Sequence, residues 1–211
     1  MNNQTNPQER ESVVQIALID FDNIIPTHES RTDLDLESKI IKLKNTLIRS
    51  TNLDETFIEL RIYIYGGWID NCGKHTKRFE QLQRNIYILR TREKSHRLIP
   101  QLSLAIQSVR DFRLIGTLRQ VISKDGKRSF SQKMVDSMMV VDAIYWADKG
   151  KTVHIFSDDD DIIPGAMEAS RRSPLGNYIY FHRNRDEANG LNIRELSKKS
   201  NIIIKKIDLG D

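Results

Sequence analysis

The chain has 211 residues, 38% of them apolar and 29% charged, with a formal net charge of +4; this reads as one globular domain with enough apolar material for a single core. No apolar run reaches the length of a transmembrane helix, which excludes a membrane as partner, and a single cysteine excludes an internal disulfide, as expected of a cytoplasmic protein. Cys72 and five dispersed histidines offer no tetrahedral ligand spacing, which sets zinc aside.

Residues 1–12 are a polar opening without the apolar core of a secretory signal, read as a flexible leader to one domain over 13–211. Val13 to Ile19 is an apolar run that predicts a buried strand, and it ends in Asp20-Phe21-Asp22-Asn23. An amphipathic helix follows over Leu36 to Ile48, then an alternating strand over Phe57 to Tyr65 that Gly66-Gly67 breaks. Trp68 after that break reads as packing more readily than as a base-stacking residue. His75 to Arg84 predicts a helix, Ile86 to Leu89 a short strand, and Phe112 to Ile122 an extended segment turned by Lys124-Asp125-Gly126-Lys127. Apolar residues recur at helical spacing from Lys133 to Ala147, placing Asp136 in the first turn and Asp142 further along, away from the sheet edge. A strand over Thr152 to Phe156 ends in Ser157 and four consecutive acids, Asp158 to Asp161. A helix over Ile163 to Ser170 and strands over Tyr178 to Phe181 and Ile202 to Ile207 complete the alternation. That alternation predicts a three-layer α/β/α domain with a mainly parallel central sheet.

Two separate strands thus aim acids at one edge of the sheet, where open α/β sheets place their sites. Adjacent carboxylates repel, and a divalent cation is the usual relief. The Asp158 to Asp161 run also reads as a solvated acidic turn capping the next helix, with Asp161 favourable near a helix amino terminus. Carboxylates without His or Cys suit Mg²⁺ or Mn²⁺, and such a cation between carboxylates, phosphate and water is what phosphodiester hydrolysis gains most from.

Three motifs carry a family resemblance: Asp20-Phe21-Asp22-Asn23, Lys133-Met134-Val135-Asp136, and Ser157-Asp158-Asp159-Asp160-Asp161-Ile162-Ile163-Pro164. In order and spacing the chain resembles the NYN domains, a branch of the PIN-like metal-dependent nucleases, over roughly residues 13 to 182. The family pattern reads Asp-Gly-x-Asn at a strand end, Lys-Gly-Val-Asp at a helix start and Ser-Gly-Asp-x-Asp-Phe-x-Pro at a second strand end. Phe21, Met134 and Asp158 stand where the family has glycine, and Ile162 where it has Phe. The resemblance implies a Rossmann-like PIN fold and an endoribonuclease using Mg²⁺ or Mn²⁺. It also implies Asp20, Asp136 and Asp159 as the acidic centre, Asp161 and Asp22 as auxiliary metal-binding acids, and Asn23 and Ser157 as polar supports.

From Arg84 to Ser131 there are eleven Lys or Arg against three acids. This predicts a phosphate-binding surface on which Arg110, Arg113, Arg119, Lys127 and Arg128 contact RNA, the competing reading being a solvated face. Lys133, one helical turn before Asp136, either neutralises the acidic centre and meets the scissile phosphate or is a surface lysine. Two other functions compete. Asp20-Phe21-Asp22 also resembles the nucleophile motif of haloacid dehalogenase-type phosphatases, which would make Asp20 the nucleophile and Asp22 the general acid. The third reading is a catalytically silent RNA-binding module of the same fold. The sequence leaves oligomeric state and protein partners open.

Overall fold

The computed structural model describes residues 12–26, 32–51, 57–93, 95–106, 117–122, 128–132, 134–174, 177–183 and 202–207, and of 118–122 and 128–131 the backbone only. In chain order they form β1 (Ser12–Asp20), α1 (Phe21–Ile24), α2 (Asp33–Thr51), β2 (Phe57–Tyr65), α3 (Lys77–Asn85), a 3-10 turn (Ile86–Leu89), β3 (Thr91–Arg92) and β4 (His96–Leu102). There follow β5 (Leu118–Ile122), β6 (Arg128–Gln132), α4 (Val135–Asp148), β7 (Val153–Phe156), a 3-10 turn (Asp160–Ile162), α5 (Ile163–Arg172), β8 (Ile179–Arg183) and β9 (Ile202–Lys206).

Seven strands make one sheet in the order β3-β4-β2-β1-β7-β8-β9, while β5 and β6 pair separately as an antiparallel hairpin. Every neighbour in the large sheet is parallel except β3 against β4. From β1 the chain builds outward through β2 and β4 on one side and later through β7, β8 and β9 on the other, so the strand order reverses between β1 and β7. Such a reversal is where open α/β sheets place their ligand sites, at the carboxyl ends of the two strands.

Burial on both faces of β1 follows from helices on both sides of the sheet. Leu36, Ile40, Leu43 and Leu47 of α2 and Phe79 and Leu82 of α3 pack on Ala17, Ile19, Ile62 and Ile64. On the opposite face Val135, Met138 and Met139 of α4 and Ala166 and Ala169 of α5 pack on Ile16, Leu18, Ile155 and Phe181. The chain is therefore a three-layer α/β/α domain with a mainly parallel sheet, as the alternation predicted. α4 and α5 approach so closely that a Cβ on Gly165 would lie 2.3 Å from the Val140 side chain, which no larger residue tolerates without displacing the helix. A polar seam crosses the α2 face: His154 bonds Gln15 at 2.8 Å and His182 at 3.0 Å, all buried, with Phe156 stacked on His182.

Three readings are corrected. Ile86 to Leu89 is a 3-10 turn and not a strand: the Arg90 N–H closes back on the Tyr87 carbonyl at 3.0 Å, so the chain is still coiling as it leaves α3. The strand expected there is β4, a few residues later. Ser12, assigned to the leader, already pairs with Phe57. Asp142, placed away from the sheet edge, is fully buried and accepts a 2.6 Å hydrogen bond from Tyr65, the last residue of β2. Trp68 packs in the core, as expected, its indole N–H on the Ile64 carbonyl.

Candidate active site at the carboxyl edge of the sheet

Ile19 of β1 pairs with Phe156 of β7, so Asp20 and Ser157 leave the sheet side by side at the strand-order reversal. Asp20 has no exposed surface. It caps α1, accepting from the Asn23 backbone N–H at 3.4 Å and from the Asn23 side-chain amide. Gln132 of β6 donates at 3.3 Å to Oδ1, which also takes the Asn23 N–H, and Ser157 Oγ donates at 3.4 Å to Oδ2, which also takes the Asn23 amide. Desolvation by burial pushes the Asp20 carboxyl up to about 7; the Asn23 and Gln132 hydrogen bonds oppose the rise, and the charges of Asp136 and Asp22 add to it. Asp136 sits half-buried in the first turn of α4.

That turn begins at Met134, whose φ of 66° is the left-handed conformation that favours glycine. It is the position at which the family motif has glycine.

Ser157 links the two strand ends. Its hydroxyl donates to Asp20 and accepts the Asp159 N–H at 3.1 Å, and Asp159 in turn caps the 3-10 turn by accepting the Asp161 N–H at 2.9 Å. Asp160 points elsewhere, to the buried Arg183 guanidinium at 2.7 Å, and Arg183 also donates to the Asp158 carbonyl at 3.2 Å. Asp161 is exposed at the rim. The acidic run is thus both things the sequence offered, a capped turn and a set of carboxylates at the strand end.

Asp22 does not join Asp20. One turn of α1 swings it toward the loop after β2, where it accepts the Gly67 N–H at 3.0 Å and faces Arg78 at 3.7 Å. Arg78 also donates to the Ile25 carbonyl at 2.6 Å and lies over the Phe21 ring, tying α3 to α1. Burial raises the Asp22 carboxyl, against the pull of Gly67 and Arg78. Asp20, Asn23 and Ser157 are therefore bonded together, with Asp136 near enough for its charge to act on Asp20, Asp159 tied by its backbone to Ser157, Asp161 at the rim and Asp22 in a separate clamp. Lys133, Arg110, Arg113 and Lys127 lie outside the described residues; Arg119 and Arg128 stand on β5 and β6, where only the backbone is described. Gln132, Arg78 and Arg183 were not foreseen.

Crowded, desolvated carboxylates and hard oxygen donors fit Mg²⁺ or Mn²⁺ held through one or two acids, with water and substrate completing the shell. Asp20 and Asp136 are the residues that would hold it. Among the described residues, no three Asp, Glu, His or Cys side chains converge as a ready metal cage. No described helix is long and apolar enough to cross a membrane.

No protein-family model matches the chain, and no curated protein matches it. A crystal structure of a protein of unknown function from Vibrio parahaemolyticus is similar over 97% of each chain at 15% identity, with a TM-score of 0.43, a likeness too distant to carry an argument.

Proposed function

We propose that the chain is a metal-dependent ribonuclease, hydrolysing RNA phosphodiester bonds in the cytoplasm at carboxylates gathered around Asp20, with Mg²⁺ or Mn²⁺ as cofactor. The observation that carries the reading is the buried Asp20, fixed by Asn23, Gln132 and Ser157 and reached by the charge of Asp136, at the strand-order reversal where α/β sheets bind ligands. RNA over DNA rests on the resemblance to NYN domains. A bound cation would neutralise phosphate charge and supply an activated water. The chain's own part is to hold the acids still: Asn23, Gln132 and Ser157 fix the Asp20 carboxylate, and Ser157 holds the backbone of Asp159 beside it.

The phosphatase alternative fits less well. It needs Asp22 free to act as general acid, and Asp22 is held by Gly67 and Arg78.

Cleavage of a labelled single-stranded RNA with Mn²⁺ tests the proposal. Asp20→Asn, Asp136→Asn and Asp159→Asn should each remove most of it while circular dichroism stays unchanged, and double variants should lose little more, because such groups act as a unit. Metal-independent cleavage, or wild-type rates in any two of the three variants, would overturn the assignment. A wild-type chain that binds RNA and never cuts it would leave the silent module.

A further inference from the structure

We infer that a cleft on the outer edge of the sheet, walled by Arg90, Arg92 and Arg97, holds the phosphate backbone of the RNA strand leading to the acidic centre. The cleft measures about 450 Å³ and is floored by Leu98, Ile99 and Pro100 of β4. The inference rests on the ribonuclease reading for the identity of the strand and not for the existence of the site.

The cross-strand register is the first observation. Arg92 of β3 lies directly opposite Arg97 of β4 in the antiparallel pair. Like charges directly opposite destabilise such a pair, and an anion between them reverses the sign. Arg90 and Arg92 make no ion pair among the described residues, and both are exposed. Arg97 reaches only Glu59, at 3.4 Å, a carboxylate it shares with Arg61 at 3.1 Å. The planar, two-pronged guanidinium is the side chain whose geometry matches a phosphate.

The second observation is the span from the site on the same face of the sheet, where Tyr63 and Tyr65 between the two lie buried against α4. Leu98 faces the α2 layer, so its neighbour Arg97 projects from the opposite face. Leu18 and Tyr65 belong to that same opposite face, and Asp20, two residues after Leu18, projects with them. Pro100 is level with Ile62, and Asp20 with Tyr65, with two strand spacings between β1 and β4. At about 4.8 Å per strand and about 3.3 Å per residue, the cleft runs from roughly 14 Å to roughly 22 Å from Asp20. At about 3.4 Å per stacked nucleotide, a strand reaches it four to six nucleotides from the cleaved bond.

The test is binding of a fluorescein-labelled 20-nucleotide single-stranded RNA to the full chain in EDTA, across a salt series. Arg90→Gln, Arg92→Gln and Arg97→Gln together should weaken binding and flatten the log–log salt slope by about 2, at about 0.7 per lost contact on a single strand. Lys149→Gln with Lys151→Gln, at the far end of α4, should leave the slope unchanged. Binding of a four-nucleotide RNA should not respond to the triple change. The cleft is refuted by a wild-type slope in the triple variant, by equal flattening in the lysine control, or by poly-glutamate displacing RNA as well as unlabelled RNA does. A chain that cuts no RNA yet shows the predicted slope loss refutes the ribonuclease and leaves the cleft standing; the reverse pattern does the opposite.

Discussion

Replacing Asp20 with asparagine should inactivate the protein and remove a pH-dependent cost from the metal-free fold. Burial holds the Asp20 carboxyl at about 7 in the fold against an ordinary 3.8. The folded state therefore keeps its proton over that interval while the unfolded chain has lost it. A raised carboxyl is a liability that grows as pH climbs from about 4 to about 7 and is constant above. At about 1.4 kcal/mol per pH unit, the whole interval amounts to about 4 kcal/mol, an upper figure because the buried site can relax. Asp20→Asn cannot ionise, so this pH dependence disappears. A constant cost of about 1–3 kcal/mol remains, because the introduced amide faces donors from Asn23, Gln132 and Ser157 and cannot accept from all of them. The informative quantity is the difference in unfolding free energy between wild type and Asp20→Asn, from urea titrations at pH 4, 5, 6, 7 and 8. It should shift in favour of the variant by about 2–4 kcal/mol across the series. Mg²⁺ at a hundred times its dissociation constant should then restore about 2.7 kcal/mol to the wild type at pH 8 and nothing to the variant. A difference that stays flat with pH would refute the claim that Asp20 is buried among like charges.

Two further outcomes follow from backbone and burial. Met134→Gly should stabilise the fold by about 0.5–1 kcal/mol in the same titration, because it relieves a left-handed residue whose side chain is largely exposed; a loss of stability would show that the Met134 side chain matters more than its φ. His182 is held neutral by burial, its pKa lowered from 6.5 to about 3, and Lys205 adds to the fall. Its contribution to stability is complete above about 6.5 and is lost as pH drops toward 3, so His182→Phe should make the acid limb of the stability curve shallower by up to about 1.4 kcal/mol per pH unit, and an unchanged limb would contradict the buried seam.

Much of the sheet was legible because its inner strands carry their signal locally. Phe57 to Tyr65 alternates cleanly and is ended by Gly66-Gly67, and the strand has those bounds. β4 was illegible for the same local reasons: Arg97, Pro100 and Gln101 interrupt its pattern, and proline argues against a strand unless the strand is an edge, which only the topology tells. At the site, Asp20 could be read from its place at the end of an apolar run. Its separation from Asp22 could not, since it depends on the chain turning into α1 at Phe21, which sends two acids one residue apart to different partners. Gln132, Arg78 and Arg183 left no trace in the sequence because each acts on a group far away along the chain, 112 residues in the case of Gln132 and Asp20.

The outer strand also bears on how copies of this chain meet. The Ser103 N–H points inward, to the Ile64 carbonyl of β2. Alternation then turns the nitrogen of Pro100 outward, where a proline has no hydrogen to offer. Sheets with open borders invite a neighbour's strand to add on, and proline and cationic side chains are the usual deterrents. Here β3 covers only Arg97 and Leu98, Pro100 blanks the next outward position, and Arg92 and Arg97 would confront the same pair in a second molecule. At the far border β9 ends in Lys205 and Lys206. The cations that we propose hold a polyanion thus also disfavour the pairing of this border with the same border of a second copy.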